Sequence, residues 1–209
     1  MNSLKTAFAA IAFTAAVPAH ANLLLDGGFE QPALSRGSFT TVTSMPGWIG
    51  APTIEVQNHV AGSPFEGNQF VELDTDANSS MYQDIATIAG VGYKIHFEYS
   101  PRPGVSALSN GISASWGNTL YAMVALNGLG LNDTAWTGYD FTAYATGPSS
   151  RLMFSAFGTS DSLGGYLDNV SVTAVPEPGS LQIFGLGLVI LATIAGTRRR
   201  KSSVPSTAF

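Results

Sequence analysis

The fold class of this chain is decided by the stretch Tyr93-Lys94-Ile95-His96-Phe97-Glu98-Tyr99. Its large apolar residues occupy every second position, and Lys94, His96 and Glu98 stand between them. Successive side chains of a β-strand point to opposite faces of the sheet, so this alternation predicts a strand with one buried face and one face in water. A helix would need apolar residues three and four positions apart.

Similar short runs of β-branched and aromatic residues recur on both sides of this strand, separated by Gly, Pro, Asn, Asp and Ser. None keeps the period of an amphipathic helix. Further strands are predicted at Ser38–Thr43 (weakly), Thr53–Gln57, Gln69–Asp74, Ser80–Thr87, Ile112–Trp116, Thr119–Asn127, Tyr139–Thr146, Ser150–Phe157 and Tyr166–Thr173. Strands spaced by turn signals, with no helix to cover a parallel sheet, predict an all-β fold built as an antiparallel β-sandwich.

The N-terminus has the three parts of a secretory signal peptide. Lys5 supplies a positive charge, Thr6–Val17 is apolar, and Ala19-His20-Ala21 has the small residues of a cleavage site. The apolar run is too short to span a bilayer as a helix. We therefore expect residues 1–21 to direct the chain to the Sec translocon and to be removed by signal peptidase.

The C-terminus predicts a membrane anchor. An apolar run, Gly179–Thr197, follows Pro176-Glu177-Pro178 and is closed by Arg198-Arg199-Arg200-Lys201. A run of about 18–20 apolar residues can cross the hydrocarbon core as a helix. The basic cluster fixes its own end in the cytoplasm, which places the Pro-Glu-Pro segment outside the inner membrane.

The segment Val175–Lys201 resembles the PEP-CTERM sorting signal of Gram-negative bacteria. The resemblance lies in the order of its three parts: Pro-Glu-Pro, a short membrane span and a terminal arginine cluster. The resemblance implies recognition by an exosortase, removal of the anchor, and delivery to the cell surface or extracellular matrix. The tail Ser202–Phe209 departs from the pattern, because such signals usually end soon after the arginines. The alternative is an ordinary single-span anchor with a chance Pro-Glu-Pro.

Residues 22–174 remain as one exported domain by length. Between Asn22 and Val175 the chain has four basic and thirteen acidic residues, a net charge of −9. A domain this acidic lacks the positively charged surface that a nucleic-acid-binding protein needs. The chain has no cysteine, which excludes disulfides, thiol catalysis and cysteine-type zinc sites.

The order of several motifs resembles a galactose-binding-like jelly roll. Those motifs are Asn22–Glu30, Gly47-Trp48, Gly67–Leu73, Tyr93–Tyr99 and Leu167–Val172. Similar domains occur in a plant cell-wall family of unknown function and in jelly-roll carbohydrate-binding modules. The resemblance implies a jelly-roll sandwich, often with a structural calcium ion and often with affinity for polysaccharide.

In jelly rolls of this kind a calcium ion commonly ties the first strand to the last. The matching positions are Gly28, Glu30 and Asp168, and carboxylates with backbone carbonyls are the oxygen ligands that calcium needs. The alternative is that Glu30 is a surface carboxylate and Asp168 caps a bulge.

Three tryptophans are candidates for stacking on sugar rings. Trp48 follows a turn and is expected in the core. Trp116 precedes the Gly117-Asn118 turn of a predicted hairpin, and Trp136 lies in a polar connection, so these two are the predicted ligand-binding residues. The alternative for each is a partly buried structural role.

No catalytic residue is assigned. Neither His59 nor His96 has a metal-ligand spacing, and no nucleophile elbow is present. The sequence therefore predicts a non-enzymatic surface protein that binds carbohydrate or builds the exopolysaccharide matrix. The alternatives are a secreted glycan-active hydrolase, whose carboxylate pair the sequence does not mark, and a matrix protein without a ligand.

Overall fold

The computed structural model describes residues 21–175 of the chain, and these form ten β-strands. The strands are β1 Ser38–Met45, β2 Trp48–Asn58, β3 Phe70–Glu72, β4 Ser80–Ala86, β5 Gly92–Ser100, β6 Gly111–Trp116, β7 Thr119–Val124, β8 Thr137–Tyr144, β9 Ser149–Phe157 and β10 Tyr166–Ala174. Every pairing between them is antiparallel. The all-β antiparallel sandwich is therefore confirmed.

The two ends of the chain lie outside the described residues. This applies to the predicted signal peptide up to residue 20, to Pro176–Pro178, to the predicted helix 179–197, to the basic cluster and to the tail. Within residues 21–175, no helix is both long and apolar enough to cross a membrane.

Strand β2 joins the two layers of the sandwich. Its first part, Ile49–Ala51, pairs with β4, and its second part, Glu55–Gln57, pairs with β3. One layer then runs β7-β6-β9-β4-β2 and the other β2-β3-β10-β5-β8, while β1 pairs along β2. A strand that changes sheets in this way forms a closed corner of a sandwich.

The core between the layers is aromatic. Trp48 is fully buried, its ring lies 6.2 Å from Phe154, and Phe154 meets Phe97 edge-on at 5.2 Å. The indole Nε1 of Trp48 donates to the carbonyl of Asp26 at 3.0 Å, which satisfies its one polar group. The predicted inward face of β5 and the predicted core position of Trp48 are confirmed.

The outer face of the second layer differs from the prediction. Alternation places Glu72 and Glu98 in water, and the structure buries both side chains. The reason is that loops cover one end of this face: the amide of Gly164 donates to Glu72, and the amide of Ala135 donates to Ser100. Lys94, at the other end of β5, remains exposed.

The N-terminal segment is attached to β10 by backbone hydrogen bonds. The amide of Leu23 donates to the carbonyl of Val172 at 2.8 Å, and the amide of Val170 donates to the carbonyl of Gly27 at 2.8 Å. Gly27 has to be glycine, because a Cβ atom there would overlap the carbonyl oxygen of Val170. The start and end of the domain are thus held together by the chain itself.

Candidate functional site

The loop-covered end of the second layer gathers polar and aromatic side chains from three strands and two loops. We call this set the polar–aromatic cluster. Its members are Glu55 and Gln57 from β2, Phe70 and Glu72 from β3, Tyr166 from β10, Arg102 after β5, and Trp136 before β8.

The polar half of the cluster is built by the pairing of β2 with β3, which sets Glu55 opposite Glu72. The side-chain amide of Gln57 donates to Oε1 of Glu55 at 2.8 Å and to Oε2 of Glu72 at 2.7 Å. The guanidinium of Arg102 donates to the same Glu72 oxygen at 2.6 Å, and the amide of Gly164 donates to its Oε1 at 2.6 Å. Both oxygens of Glu72 are therefore engaged.

The electrostatics of this half are dominated by burial. Loss of solvent raises the pKa of Glu72 from 4.5 to about 8, although Arg102 acts in the opposite direction. Burial also raises the pKa of Glu55, against the hydrogen bond from Gln57 and the charge of Arg102. Burial in a low dielectric disfavours a charged carboxylate, and one arginine does not offset it for two carboxyl groups.

The aromatic half adjoins the polar half through Tyr166. The ring of Phe70 lies 4.6 Å from Tyr166 and 5.9 Å from Trp136, and Trp136 meets Phe65 edge-on at 6.4 Å. Arg102 lies over the Tyr166 ring at 5.9 Å. The half-buried Trp136 is fixed by its Nε1, which donates to the carbonyl of Ser63 at 2.9 Å. Phe65 beside it is 46% exposed.

Several polar groups of the cluster have no partner among residues 21–175. Arg102 uses only Nη1 of its guanidinium, and Glu55 uses only Oε1 of its carboxylate. The cluster thus offers unpaired donors and an unpaired acceptor next to a half-exposed aromatic surface. This combination can hold a ligand that has an apolar face and a rim of hydroxyl groups.

The structure places the two predicted ligand-binding tryptophans in different environments. Trp136 belongs to the cluster, and its ligand-binding role stays a prediction. Trp116 is only 4% exposed and stacks on Tyr93 at 5.6 Å, so its prediction as a surface platform is wrong. The turn at Gly117 is exposed as expected, but Trp116 is the last residue of β6 and its side chain points to the core side of the sheet.

The predicted calcium positions converge on one loop, Phe65–Gln69. Asp168 accepts from the amides of Phe65 and Glu66 at 2.8 and 3.1 Å, and Glu30 accepts from the amides of Asn68 and Gln69 at 2.8 and 3.0 Å. A Cβ atom on Gly28 would lie 2.9 Å from Oε1 of Glu66. Among the described residues, no three acidic, histidine or cysteine side chains form a group that could hold a metal.

His96, expected to be simply solvated, lies between two carboxylates. Its Nε2 is 3.3 Å from Glu98 and its Nδ1 is 3.2 Å from Asp140, which also pairs with Lys94 at 3.0 Å. Two members of this group, His96 and Glu98, come from one strand, β5, and Asp140 comes from its neighbour β8.

Sequence reasoning missed the polar half of the cluster. Glu55 and Arg102 stand in no motif, and alternation assigned Glu72, which lies within the motif Gly67–Leu73, to water. The one available signal was the apolar Phe70 two residues before Glu72, on the same face of β3. A large ring on a face predicted to be wet indicates that something covers that face.

Comparison with curated proteins finds two relatives. The chain is 30% identical over 160 residues to the multifunctional-autoprocessing repeats-in-toxin protein of Vibrio cholerae, covering 73% of this chain and 3% of that protein. It is 30% identical over 154 residues to the Vibrio vulnificus protein of the same name, covering 71% of this chain and again 3% of the relative. The chain therefore spans only a small fraction of the length of these relatives.

Among solved structures, similar chains include carbohydrate-binding modules. TmCBM61 in complex with β-1,4-galactotriose matches with a TM-score of 0.47 and 17% identity, over 74% of this chain and 99% of that one. A family 16 carbohydrate-binding module matches with a TM-score of 0.45 and 13% identity, over 73% and 99%. The CBM22-1 xylan-binding domain of Paenibacillus barcinonensis Xyn10C matches with a TM-score of 0.45 and 12% identity, over 70% and 100%.

The C-terminal signal matches a family model of the PEP-CTERM protein-sorting motif. The match covers residues 174–201 and begins at the last residue of β10. It contains the Pro-Glu-Pro segment, the apolar run and the basic cluster that the sequence predicted. The chain therefore carries a PEP-CTERM protein-sorting motif directly after its β-sandwich.

Proposed function

We propose that this protein is exported and that its β-sandwich binds polysaccharide outside the cell through the polar–aromatic cluster. The observation that carries the proposal is the half-buried Trp136, which is held beside the exposed Phe65 and is connected through Phe70 and Tyr166 to Arg102. A pyranose has one apolar face, which stacks on an aromatic ring, and a rim of hydroxyls that need donors and acceptors.

The route to that location follows from the sorting motif. Recognition by an exosortase at Pro176–Pro178 would release the domain from its inner-membrane anchor on the outer side of the membrane of a Gram-negative bacterium. The acidic domain would then act at the cell surface or within the exopolysaccharide matrix.

The test is the variant Trp136→Ala in a panel of immobilised polysaccharides. Loss of the stacking surface should weaken binding to the preferred glycan by roughly tenfold. Tyr144→Ala is the matched control, because Tyr144 is an exposed aromatic residue on β8 outside the cluster. Equal binding by Trp136→Ala and the unaltered protein would refute the site, and failure of the whole panel would leave a purely structural role in the matrix.

A glycan-active hydrolase is the alternative, and one observation favours it: Glu55 and Glu72 form a pair of adjacent carboxyl groups with raised pKa values. Binding is the better conclusion because Glu72 is fully buried and both of its oxygens are engaged within the protein. A general acid has to reach the glycosidic oxygen. Release of reducing sugar that Glu72→Gln abolishes would establish the hydrolase instead.

We also propose that calcium binds beside the loop Phe65–Gln69. Support comes from the chemistry of the predicted donors, since the carboxylates of Glu30 and Asp168 and the carbonyl of Gly28 are oxygen ligands of the kind that calcium prefers. Both oxygens of Asp168 and Oε1 of Glu30 accept hydrogen bonds from backbone amides, so the ion would have to share or displace some of these bonds. A chelator should lower the melting temperature of the protein, and Glu30→Gln should remove that effect. A melting temperature unchanged by chelator would rule out the ion.

A further inference from the structure

We infer that the polar half of the cluster takes a positively charged group, so that the preferred polysaccharide carries free, protonated amino sugars. The inference rests on the proposed function and names the class of glycan. It follows from three features of the cluster: an excess of carboxylates over cations, an unpaired buried acceptor, and a carboxylate oxygen within reach of a ligand.

The first feature is the charge balance. Glu55 faces Glu72 across β2 and β3. Burial keeps Glu72 neutral in mildly acidic buffer, so the negative charge comes from Glu55, with Asp74 and Asp76 nearby. Arg102 is the one cation that contacts this group among the described residues. The domain as a whole has a net charge of −9, which attracts cationic polymers and repels anionic ones over a longer range.

The second feature is the side-chain amide of Gln57. The residue is fully buried, and its Oε1 is buried without a hydrogen-bond partner among the described residues. In the structure its Nε2 donates to both Glu55 and Glu72. A buried acceptor of this kind lacks a donor, so it marks a shortage of hydrogen-bond donors at this end of the cluster.

The third feature is Glu55, which is the accessible member of the group. It is only partly buried, and its Oε2 has no partner among residues 21–175. A protonated amine brings three donors and a positive charge, so it matches both the free carboxylate oxygen and the shortage of cations. A sugar hydroxyl brings a donor but no charge.

The experiment compares a glucosamine oligomer with an N-acetylglucosamine oligomer of the same length by titration calorimetry. The buffer is mildly acidic, so that the free amines are protonated, and it contains chelator to exclude metal ions. The unaltered protein should bind the glucosamine oligomer roughly tenfold more tightly, as expected for a partly buried charge-assisted hydrogen bond. Equal affinity for the two oligomers would overturn the inference.

Two variants test the role of Glu55. Glu55→Gln removes the charge and should abolish the preference for the glucosamine oligomer. Thr41→Lys places an ammonium group directly across from Glu55 on β1, at an exposed position, and should also abolish the preference. Asp84→Asn is the control for net charge, because Asp84 is an exposed carboxylate on β4 in the other layer. It should retain the preference.

The outcomes separate this inference from the proposed function. If neither oligomer binds and Trp136→Ala changes nothing in the polysaccharide panel, the proposed function itself is wrong. If both oligomers bind equally and Trp136→Ala weakens both, the glycan site stands and the amine selectivity is wrong. A preference that survives in both Glu55→Gln and Thr41→Lys would place the amine at another site and overturn the assignment.

Discussion

Removing the cation beside the buried Glu72 should make the stability of the domain depend more strongly on pH. The perturbation is Arg102→Met, which keeps much of the length of the side chain and removes the guanidinium 2.6 Å from Glu72. Glu72 is fully buried, whereas the Arg102 side chain is 19% exposed. The variant therefore leaves a buried carboxyl group whose ionised form has lost its partner.

The size of the effect follows from the two pKa values of Glu72. Burial raises the pKa of Glu72 from 4.5 to about 8 in the folded chain. The neutral carboxyl therefore contributes a stabilisation that is complete below the unfolded value and is lost as the pH rises through the folded value. Between these two pKa values the free energy of unfolding of the unaltered protein falls by at most about 5 kcal/mol on account of Glu72. Above the folded pKa this contribution no longer changes with pH.

In Arg102→Met the pKa of Glu72 should rise further. The free energy of unfolding of the variant therefore continues to fall above pH 8, by about 1.4 kcal/mol per pH unit. Below about pH 7 the carboxyl is neutral in both proteins, and the variant lacks one hydrogen bond worth roughly 1 kcal/mol. The difference between the two proteins should therefore grow from about 1 kcal/mol near pH 6 to about 3 kcal/mol near pH 9.5.

The measurement is urea unfolding followed by tryptophan fluorescence at several pH values. Arg151→Met is the control, because it breaks the Arg151–Asp84 pair, whose side chains are about half exposed. Exposed pairs contribute about 0–1 kcal/mol, so this variant should differ little from the unaltered protein at either pH. A difference for Arg102→Met that is equal near pH 6 and pH 9.5 would mean that Glu72 does not change its protonation state between these pH values, and the reasoning would be refuted.

Three further changes test the packing. Gly27→Ala should lower the free energy of unfolding by about 1–3 kcal/mol because its Cβ overlaps the carbonyl of Val170, while Gly147→Ala, where nothing lies within 4 Å, should change it by less than about 0.5 kcal/mol. Trp48→Ala should cost about 3–5 kcal/mol and reduce the near-ultraviolet circular dichroism, because the ring fills the core. Tyr99→Phe should cost about 1–3 kcal/mol in urea unfolding, because the hydroxyl bridges two backbone groups inside the protein; a neutral result would mean that water replaces it.

The sequence determined the strands and their inward faces. Alternation is a local property, and a strand with a period of two has one way to bury its apolar side. The predicted strand Tyr93–Tyr99 lies within Gly92–Ser100, and the predicted hairpin around Gly117-Asn118 joins β6 to β7. The sorting motif could also be found from sequence, because a membrane span and its flanking charges act through composition and order rather than through a folded arrangement.

Only the tertiary structure decided which outward residues meet water. Glu72 and Lys94 both stand on the polar side of a strand, yet loops bury the first and leave the second exposed. The same holds for Trp116, whose exposed turn gave no indication that its ring lies inside the sandwich. A sequence records what each strand presents to its two faces; whether a face is covered depends on loops that are distant in sequence. The polar–aromatic cluster is therefore a product of the folded chain, because its members come from five separate segments that only strand pairing within the second layer and its covering loops bring together.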